Sequence, residues 1–455
     1  MSWRVGELES WRAGEVAVVG LARSGVSACR LLRARGFAVY ASDAAEGAAL
    51  VAESPRLKAE GCAVQLGGHD LARISRAAVV VVSPGVPPTA PPLAAAAAAG
   101  RTVISELDLA ARFLPGTKLI VTTGTKGKST VSSLIAAMLA ANGLGPGEVA
   151  GNIGLPLSDV AMLADPPAWL AVEASSFQLH DCPTLTPAVG VLTNLSPDHL
   201  DRYDSVEAYY ADKARIFRGA GIASHWVSNG DDAAVVAMTH GIEGRHERFS
   251  LDVQMADAWY DRSGGWLVVR GMPLVRRADL ELLGDHNVAN ALAAALAVPP
   301  DLTDRDAIAA AIKAFRPLHH RLEPVREVAG VLWVNDSKAT TVSAALSAVQ
   351  SVGRPVVLLL GGKDKGGDFA DLVPALRGAR GVVAYGEAGD RIARELAGHV
   401  TVMKEGKDFD QVLARARSLA KPGDAVLLSP ACSSFDMFAN AEERGERFTR
   451  WVQAL

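Results

Sequence analysis

Along the chain, short runs of Val, Leu, Ile and Ala alternate with glycine-bearing turns and then with longer stretches whose apolar residues recur at helical spacing. Short apolar runs bounded by turns read as strands buried on both faces. Their alternation with helical stretches is the mark of βαβ units around a parallel sheet, so the fold class is α/β. In the first block, residues 16–20 read as a strand, 24–35 as a helix and 38–43 as the next strand; 79–82 are a further strand, stopped by Ser83-Pro84-Gly85. The alanines at 94–99 read as a packed helix closed by Gly100 rather than as low complexity, because alanine has the highest helix propensity. A second block begins near Leu107, has its first strand at 118–122 and runs to a joint at Phe315-Arg316-Pro317-Leu318. The third predicts strands at 331–335, 355–360, 381–385 and 425–428, each followed by a turn and a helix. The expected domains are therefore 1–106, 107–317 and 318–455.

Length agrees with that division, since 455 residues hold about three domains at about 150 residues each. The 46 Lys and Arg against 50 Asp and Glu leave a formal charge of −4, which excludes the basic excess that nucleic-acid binding requires. With 49% hydrophobic and 21% charged residues, disorder and fibre are excluded as well. The opening residues from Met1 to Glu7 lack an apolar signal region, and no run approaches the ~18 apolar residues of a membrane span. Cys29, Cys62, Cys182 and Cys432 lie far apart in the chain and form no CxxC pair, so neither a zinc knuckle nor a disulfide framework is expected. These features predict a soluble cytoplasmic protein, with neither nucleic acid nor membrane as partner.

Chemistry is densest at Thr122-Thr123-Gly124-Thr125-Lys126-Gly127-Lys128-Ser129-Thr130, where an apolar strand enters a small-residue loop and a helix over 131–140 leaves it. Such a loop turns backbone N–H groups and a helix N-terminus toward phosphate oxygens; Lys128 reaches the terminal phosphates and Ser129 can hold Mg²⁺. The spacing departs from the full Walker pattern, Gly124 standing three residues before Gly127. Glu173, at the end of a predicted strand over 169–173, is the candidate Mg²⁺ ligand, although a strand-end Glu is also an ordinary rim residue. The strand at 188–192 runs into Thr193-Asn194-Leu195-Ser196-Pro197-Asp198-His199, a loop rich in acid and imidazole. Lys213 follows on a helix that continues to Phe217, where in isolation it reads simply as a solvated lysine. In the first block, Gly20-Leu21-Ala22-Arg23-Ser24-Gly25 with Asp43 at the next strand end is a weak dinucleotide fingerprint, in which the acid can accept hydrogen bonds from a ribose.

The stretch from Thr122 to Thr130, Gly151-Asn152-Ile153-Gly154, Glu173 with Ser175-Ser176-Phe177-Gln178, His199 with Asp201-Arg202, Gly284-Asp285-His286-Asn287 with Asn290, and His320-Arg321 together resemble the ATP-dependent Mur ligases of peptidoglycan synthesis. Asn335-Asp336-Ser337-Lys338-Ala339-Thr340, Leu360-Gly361-Gly362-Lys363-Asp364-Lys365 and Ser429-Pro430-Ala431-Cys432-Ser433-Ser434-Phe435-Asp436 resemble the D-glutamate-adding branch. The resemblance implies a Rossmann-like N-terminal domain for UDP, a central P-loop ATPase-like domain and a Rossmann-like C-terminal domain that brings the amino acid. It implies ATP and two Mg²⁺ ions, UDP-N-acetylmuramoyl-L-alanine and D-glutamate as substrates, an acyl-phosphate intermediate and a monomer.

Carried over by position, Gly124, Thr125, Lys126, Gly127, Lys128, Ser129 and Thr130 would hold phosphates, and Asn287, Asn290, Arg321 and Asp336 would line the ATP site. Ser129 and Glu173 would bind the first Mg²⁺ and His199 the second, with Lys213 bridging as a carbamate; Lys128, Glu173, His199 and Lys213 form the catalytic set. Arg23, Ser24, Asp43, Gly85 and Asn152 would take the UDP substrate, and Lys338, Thr340, Lys365, Ser434 and Phe435 D-glutamate. The chain departs from the pattern at Ala45, Thr341 and Ala441. A related ligase such as a folylpolyglutamate synthase would share the phosphate loop. A nicotinamide-dependent oxidoreductase would use Gly20 to Gly25 but leave Lys128, Glu173 and His199 without a task, and a non-catalytic nucleotide switch is a third alternative.

Overall fold

The computed structural model describes residues 2–200 and 202–455; Met1 and Asp201, both read above, lie outside the described residues. The chain forms two compact units. The first runs to Arg277 and takes in Ala289–Lys313; the second comprises Ala278–Val288 and Ala314–Leu455.

The first unit holds two sheets. Strands β1 (Glu15–Val19), β2 (Ala38–Ser42), β3 (Ala63–Gln65), β4 (Val79–Val82) and β5 (Val103–Ser105) pair in parallel in the order β3-β2-β1-β4-β5. The four valines of β4 are buried throughout, as a strand covered on both faces must be. Helix Arg23–Ala34 lays Ala28, Cys29, Leu31 and Leu32 into that core, where Cys29 meets Cys62; all four cysteines are free and buried. The alanine run forms helix Pro91–Ala98, with Gly100 past its end at φ +65°.

The second sheet has strands β6 (Lys118–Thr123), β7 (Val149–Gly151), β8 (Trp169–Glu173), β9 (Val189–Leu192), β10 (His225–Asn229), β11 (Arg245–Ser250), β12 (Ala258–Asp261), β13 (Trp266–Val269) and β14 (Met272–Arg276). Their order is β14-β13-β12-β11-β10-β9-β6-β8-β7, antiparallel only at β12-β13 and β13-β14. The sequence pattern did not announce β10 to β14; in β10 and β11 the apolar run is broken by His225 and Glu247, which turn into the sheet. Glu247 of β11 is buried, with Arg270 Nε 2.8 Å and Arg245 Nη2 2.9 Å from Oε1, and His225 Nε2 2.7 Å from Oε2.

In the second unit, β15 (Glu323–Val328), β16 (Val331–Asn335), β17 (Val356–Gly361), β18 (Gly381–Tyr385), β19 (Val402–Lys404) and β20 (Ala425–Leu428) are ordered β15-β16-β20-β17-β18-β19, antiparallel only at β15-β16. The helix expected after β17 is a 3₁₀ turn, Phe369–Leu372, because Gly366-Gly367 interrupts the helical run and Asp368 caps the turn through Ala370 N. The helix carrying Lys213 likewise ends at Ala214 and continues as the 3₁₀ turn Arg215–Phe217.

Burial works to raise the Glu247 carboxyl, but the hydrogen bonds and charges of His225 and Arg270 outweigh it and hold the group at about 2. Glu247→Ala leaves cations unpaired within the sheet and should lower the unfolding free energy by about 3 kcal/mol, seen as a lower urea midpoint. Because the folded-state value is depressed, this advantage over the variant should be full at neutral pH and fade as pH falls from about 4 toward 2. Identical midpoints at pH 7 would remove the cluster from the stability of this sheet.

Candidate active site

β6 delivers the candidate phosphate loop and helix Lys128–Ala141 receives it, with Gly127 at the N-cap. Gly124 has φ +140°, and a Cβ there would stand 2.0 Å from Thr193 Oγ1 and 3.1 Å from Asn194 O. Only glycine lets the strand end pass so close to the loop that follows β9. That loop braces the turn: Asn194 Oδ1 accepts from Lys126 N at 2.9 Å, Asn194 Nδ2 donates to Lys126 O at 2.9 Å, and Thr193 Oγ1 donates to Lys126 O at 2.7 Å. Thr125 N donates to Asn194 O, and Thr125 Oγ1 bonds the backbone of Ser196. Thr193 and Asn194 were absent from the candidate set, since nothing in their types singles them out. Ser129 is buried in the first helical turn beside Thr130, and Asn290 Oδ1 faces Gly127.

Lys128 Nζ donates to Gly124 O at 3.0 Å and Thr125 O at 2.9 Å. Lys213 Nζ donates to the same Gly124 carbonyl at 2.7 Å and lies 4.4 Å from the Tyr209 ring centroid. It is 1% exposed, which overturns the solvated reading. Burial and then the Lys128 charge pull its amine down to about 6, against the opposing pull of Asp198, Glu173 and Asp212. Glu173, also 1% exposed, is no rim residue: Oε1 accepts from Asn152 Nδ2 at 2.7 Å, and Oε2 is buried without a hydrogen-bond partner. His199, at φ +55°, is more exposed and sits 5.1 Å from the Phe177 ring and 6.0 Å from that of Tyr209.

In the first sheet, Asp43 accepts from Leu21 N at 2.7 Å and Ala45 N at 2.8 Å. The acid thus pins the fingerprint turn, with Ala45 contributing only its amide. Gly25 packs so tightly on that turn that a Cβ would lie 1.9 Å from Gly20 O, while Ser24 is half-buried beside it. Arg23 Nη2 donates to Gly154 O at 2.7 Å, joining the turn to the loop that holds Asn152, and Gly85 is exposed after β4. Arg202, unassigned from sequence, donates to Pro84 O and Val86 O and stacks 4.0 Å from the Phe177 centroid. Arg202, Phe177, Pro84 and Val86 line a cavity of about 660 Å³ together with His180, Tyr203 and Asp212, whereas Arg23, Ser24, Asp43 and Gly85 are not part of its lining.

The second unit carries the remaining candidates. Asn287 is buried with Nδ2 on Leu283 O, and Arg321 is exposed between His320 and Leu322, both at positive φ. Asp336 is buried; it accepts from Leu322 N at 3.1 Å and Ser429 Oγ at 2.8 Å, and burial raises its carboxyl to about 7 despite those bonds. Lys365 Nζ donates to Thr340 Oγ1 at 3.2 Å, so these two are brought together. Lys338 instead pairs with Glu442 at 3.2 Å. Ser434 is buried, whereas Phe435 is exposed. Thr341 is the N-cap of helix Val342–Val352, accepting from Ala344 N, a role Asn and Thr share; Ala441 opens the last helix after its cap Asn440.

Gly124→Ala should cost about 1–3 kcal/mol through strain at a positive φ and collision with Thr193, read as a lower melting temperature in a thermal scan. An unchanged melting temperature would show that the loop yields freely at this point.

Residues 14–105 match the family model described as Mur ligase MurD-like, N-terminal domain; 122–298 match the Mur ligase middle domain, and 320–432 the Mur ligase, glutamate ligase domain. The chain is 42% identical over 454 residues to a protein of Myxococcus xanthus named UDP-N-acetylmuramoylalanine--D-glutamate ligase, covering 97% of this chain and 98% of the relative. It is 39% identical over 446 residues to one of the same name from Acidobacterium capsulatum, covering 97% and 96%. Among solved structures, the fold matches UDP-N-acetylmuramate-alanine ligase from Thermotoga maritima (TM-score 0.62, 18% identity, 97% and 99% covered) and MurF from Acinetobacter baumannii (TM-score 0.58, 17% identity, 93% and 94% covered). With three matching domains in order and relatives of one name aligned along nearly all of its length, the chain belongs to the UDP-N-acetylmuramoylalanine--D-glutamate ligases of the Mur ligase family.

Proposed function

We infer that the chain joins D-glutamate to UDP-N-acetylmuramoyl-L-alanine using ATP, in peptidoglycan precursor synthesis. The observation that carries this reading is its likeness, over 97% of its length, to ligases of that name. The site chemistry agrees. A free carboxylate is a poor electrophile, so the γ-phosphoryl group of ATP is transferred to the alanyl carboxylate. The amine of D-glutamate attacks the resulting acyl phosphate, and inorganic phosphate leaves as the amide forms. The division of labour proposed is UDP recognition by 1–106, phosphoryl transfer by 107–317 and amino-acid capture by 318–455.

Lys128 and the loop amides of residues 124–130 offset the repulsion between carboxylate and γ-phosphate. Asn287, Asn290, Arg321 and Asp336 are assigned to ATP, Arg23, Ser24, Asp43, Gly85 and Asn152 to the UDP substrate, and Lys338, Thr340, Lys365, Ser434 and Phe435 to D-glutamate. Oxygen donors suit Mg²⁺, and the unpartnered Oε2 of Glu173 with the Ser129 hydroxyl fit a first ion. His199 and a carbamylated Lys213 would hold a second. Among the described residues no three His, Cys, Asp or Glu side chains converge, which suits an ion that takes its other ligands from phosphate and water. When bound, Mg²⁺ neutralises charge on the phosphates. An amine held at about 6 is neutral at pH 7, the form that reacts with CO₂. Four buried free cysteines suit the reducing cytoplasm, and among the described residues no helix is long and apolar enough to cross a membrane.

Phosphate release should require ATP, UDP-N-acetylmuramoyl-L-alanine and D-glutamate together, with L-glutamate, D-glutamine and L-lysine used poorly. Equal turnover of any of these three would contradict the assignment. Lys213→Ala should lose about a hundredfold or more in kcat, and a short carboxylic acid added to the assay should restore part of it. The same acid should leave Lys128→Ala inactive; wild-type activity in Lys213→Ala would sink the carbamate.

A further inference from the structure

The final helix, Ala441–Gln453, carries a guanidinium into the interior of the second unit. Arg444 is 0% exposed, and its hydrogen-bond partners include no carboxylate. Nε donates to Ser337 Oγ at 2.9 Å, Nη2 to Ser337 O at 2.8 Å and Nη1 to Cys432 O at 3.3 Å. Ser337 lies in the loop after β16, immediately before Lys338, while Cys432 lies in the loop after β20, two residues before Ser434. The third loop of the set is in reach as well, since a Cβ on Gly362, after β17, would stand 3.3 Å from Nη1.

A buried cation without an acid is costly, and helix packing alone would be served as well by an apolar side chain. What a guanidinium adds is a planar fork that fixes several acceptors at once in one geometry. Here the acceptors belong to two different loops. Ser337 Oγ, in turn, donates to Ala441 O at 2.7 Å, so the helix start and the loop after β16 are tied in both directions. Around the fork, Lys363 and Ser433 exchange backbone hydrogen bonds at 2.9 and 3.0 Å, and Ala431 N donates to Ala339 O at 2.9 Å. All three loops leave the sheet where its strand order reverses between β17 and β20, the place at which α/β sheets bind ligands.

We propose that Arg444 is a positioning residue for amino-acid binding: its fork holds the loops after β16 and β20 at the separation that lets Lys338, Thr340 and Ser434 act on one small dicarboxylate. Arg444 itself does not touch the substrate. The proposal rests on the assignment of these loops to D-glutamate. A loss of the fork then acts first on amino-acid affinity, since the 124–130 loop and the UDP-substrate loops belong to other sheets, and Asp336, assigned to ATP, is held by Leu322 N and Ser429 Oγ rather than by the fork.

The test is steady-state kinetics of phosphate release by the wild type, Arg444→Met, Arg444→Lys and Ser337→Ala, each checked for folding by circular dichroism, with the three substrates varied in turn. Wild-type turnover of D-glutamate establishes the activity on its own; its absence rejects the proposed function before any variant is considered. The expected result is a KM for D-glutamate raised about tenfold or more in both Arg444 variants and several-fold in Ser337→Ala, with KM for ATP and the UDP substrate within about twofold. Arg444→Lys keeps the charge and loses the fork, so full recovery by lysine overturns the proposal. It is overturned equally by an unchanged KM for D-glutamate in folded variants, or by parallel shifts in all three KM values. If neither Arg444 variant folds, Ser337→Ala decides by the same criterion.

Discussion

One backbone carbonyl, Gly124 O, accepts hydrogen bonds from two lysine amines, Lys128 and Lys213. Two ammonium groups that share one acceptor repel each other, and after burial the Lys128 charge is the next cause that lowers the Lys213 amine. The conflict resolves by position: Lys213 is the more deeply buried, and its amine falls to about 6. The pair thus holds the Lys128 charge beside a Lys213 amine whose ammonium form is disfavoured. The rest of the site depends on the chain geometry that makes this shared carbonyl possible.

That geometry comes from the sheet. Thr123 of β6 is in register with Leu192 of β9, so the residues beyond each strand, Gly124 to Lys126 and Thr193 to Ser196, run side by side and bond to one another. A slip of one residue would turn Thr193 and Asn194 away and leave the loop unbraced. β8, on the other side of β6, ends at Glu173, which brings the buried carboxylate alongside. The same device recurs in the second unit, where the loops after β17 and β20 exchange hydrogen bonds between Lys363 and Ser433. In each sheet, the candidate loops follow strands beside which the strand order reverses.

Pinning contacts recur within the motifs read from the sequence. Asp43 gives each carboxylate oxygen to a backbone amide, and Asn335, within the amino-acid motif, is fully buried and bonds His320, Gly445 O and Thr449. A residue can therefore belong to a functional motif because it shapes the loop, with its neighbours left to meet the substrate.

Much was determined by the sequence alone. Buried apolar strands alternating with helical stretches specified three α/β sheets, because a parallel strand covered on both faces must be apolar throughout, as in β4 and β17. The strand–loop–helix turn at 118–141 was legible because its signal is local: strand, glycines, lysine and helix start are consecutive. What lay beyond local reading is burial and pairing across the chain. Taken alone, Lys213 and Glu173 read as surface residues, β10 and β11 were masked by charges that meet around Glu247, and Lys338 meets Glu442 from the last helix. Asn194 and Arg444 were not singled out, and Arg202 stood only as part of a motif with no role of its own, since an amide or a guanidinium is polar wherever it stands. Whether such a group faces water or fixes two loops is decided by which strands are neighbours, and that is a property of the assembled sheet.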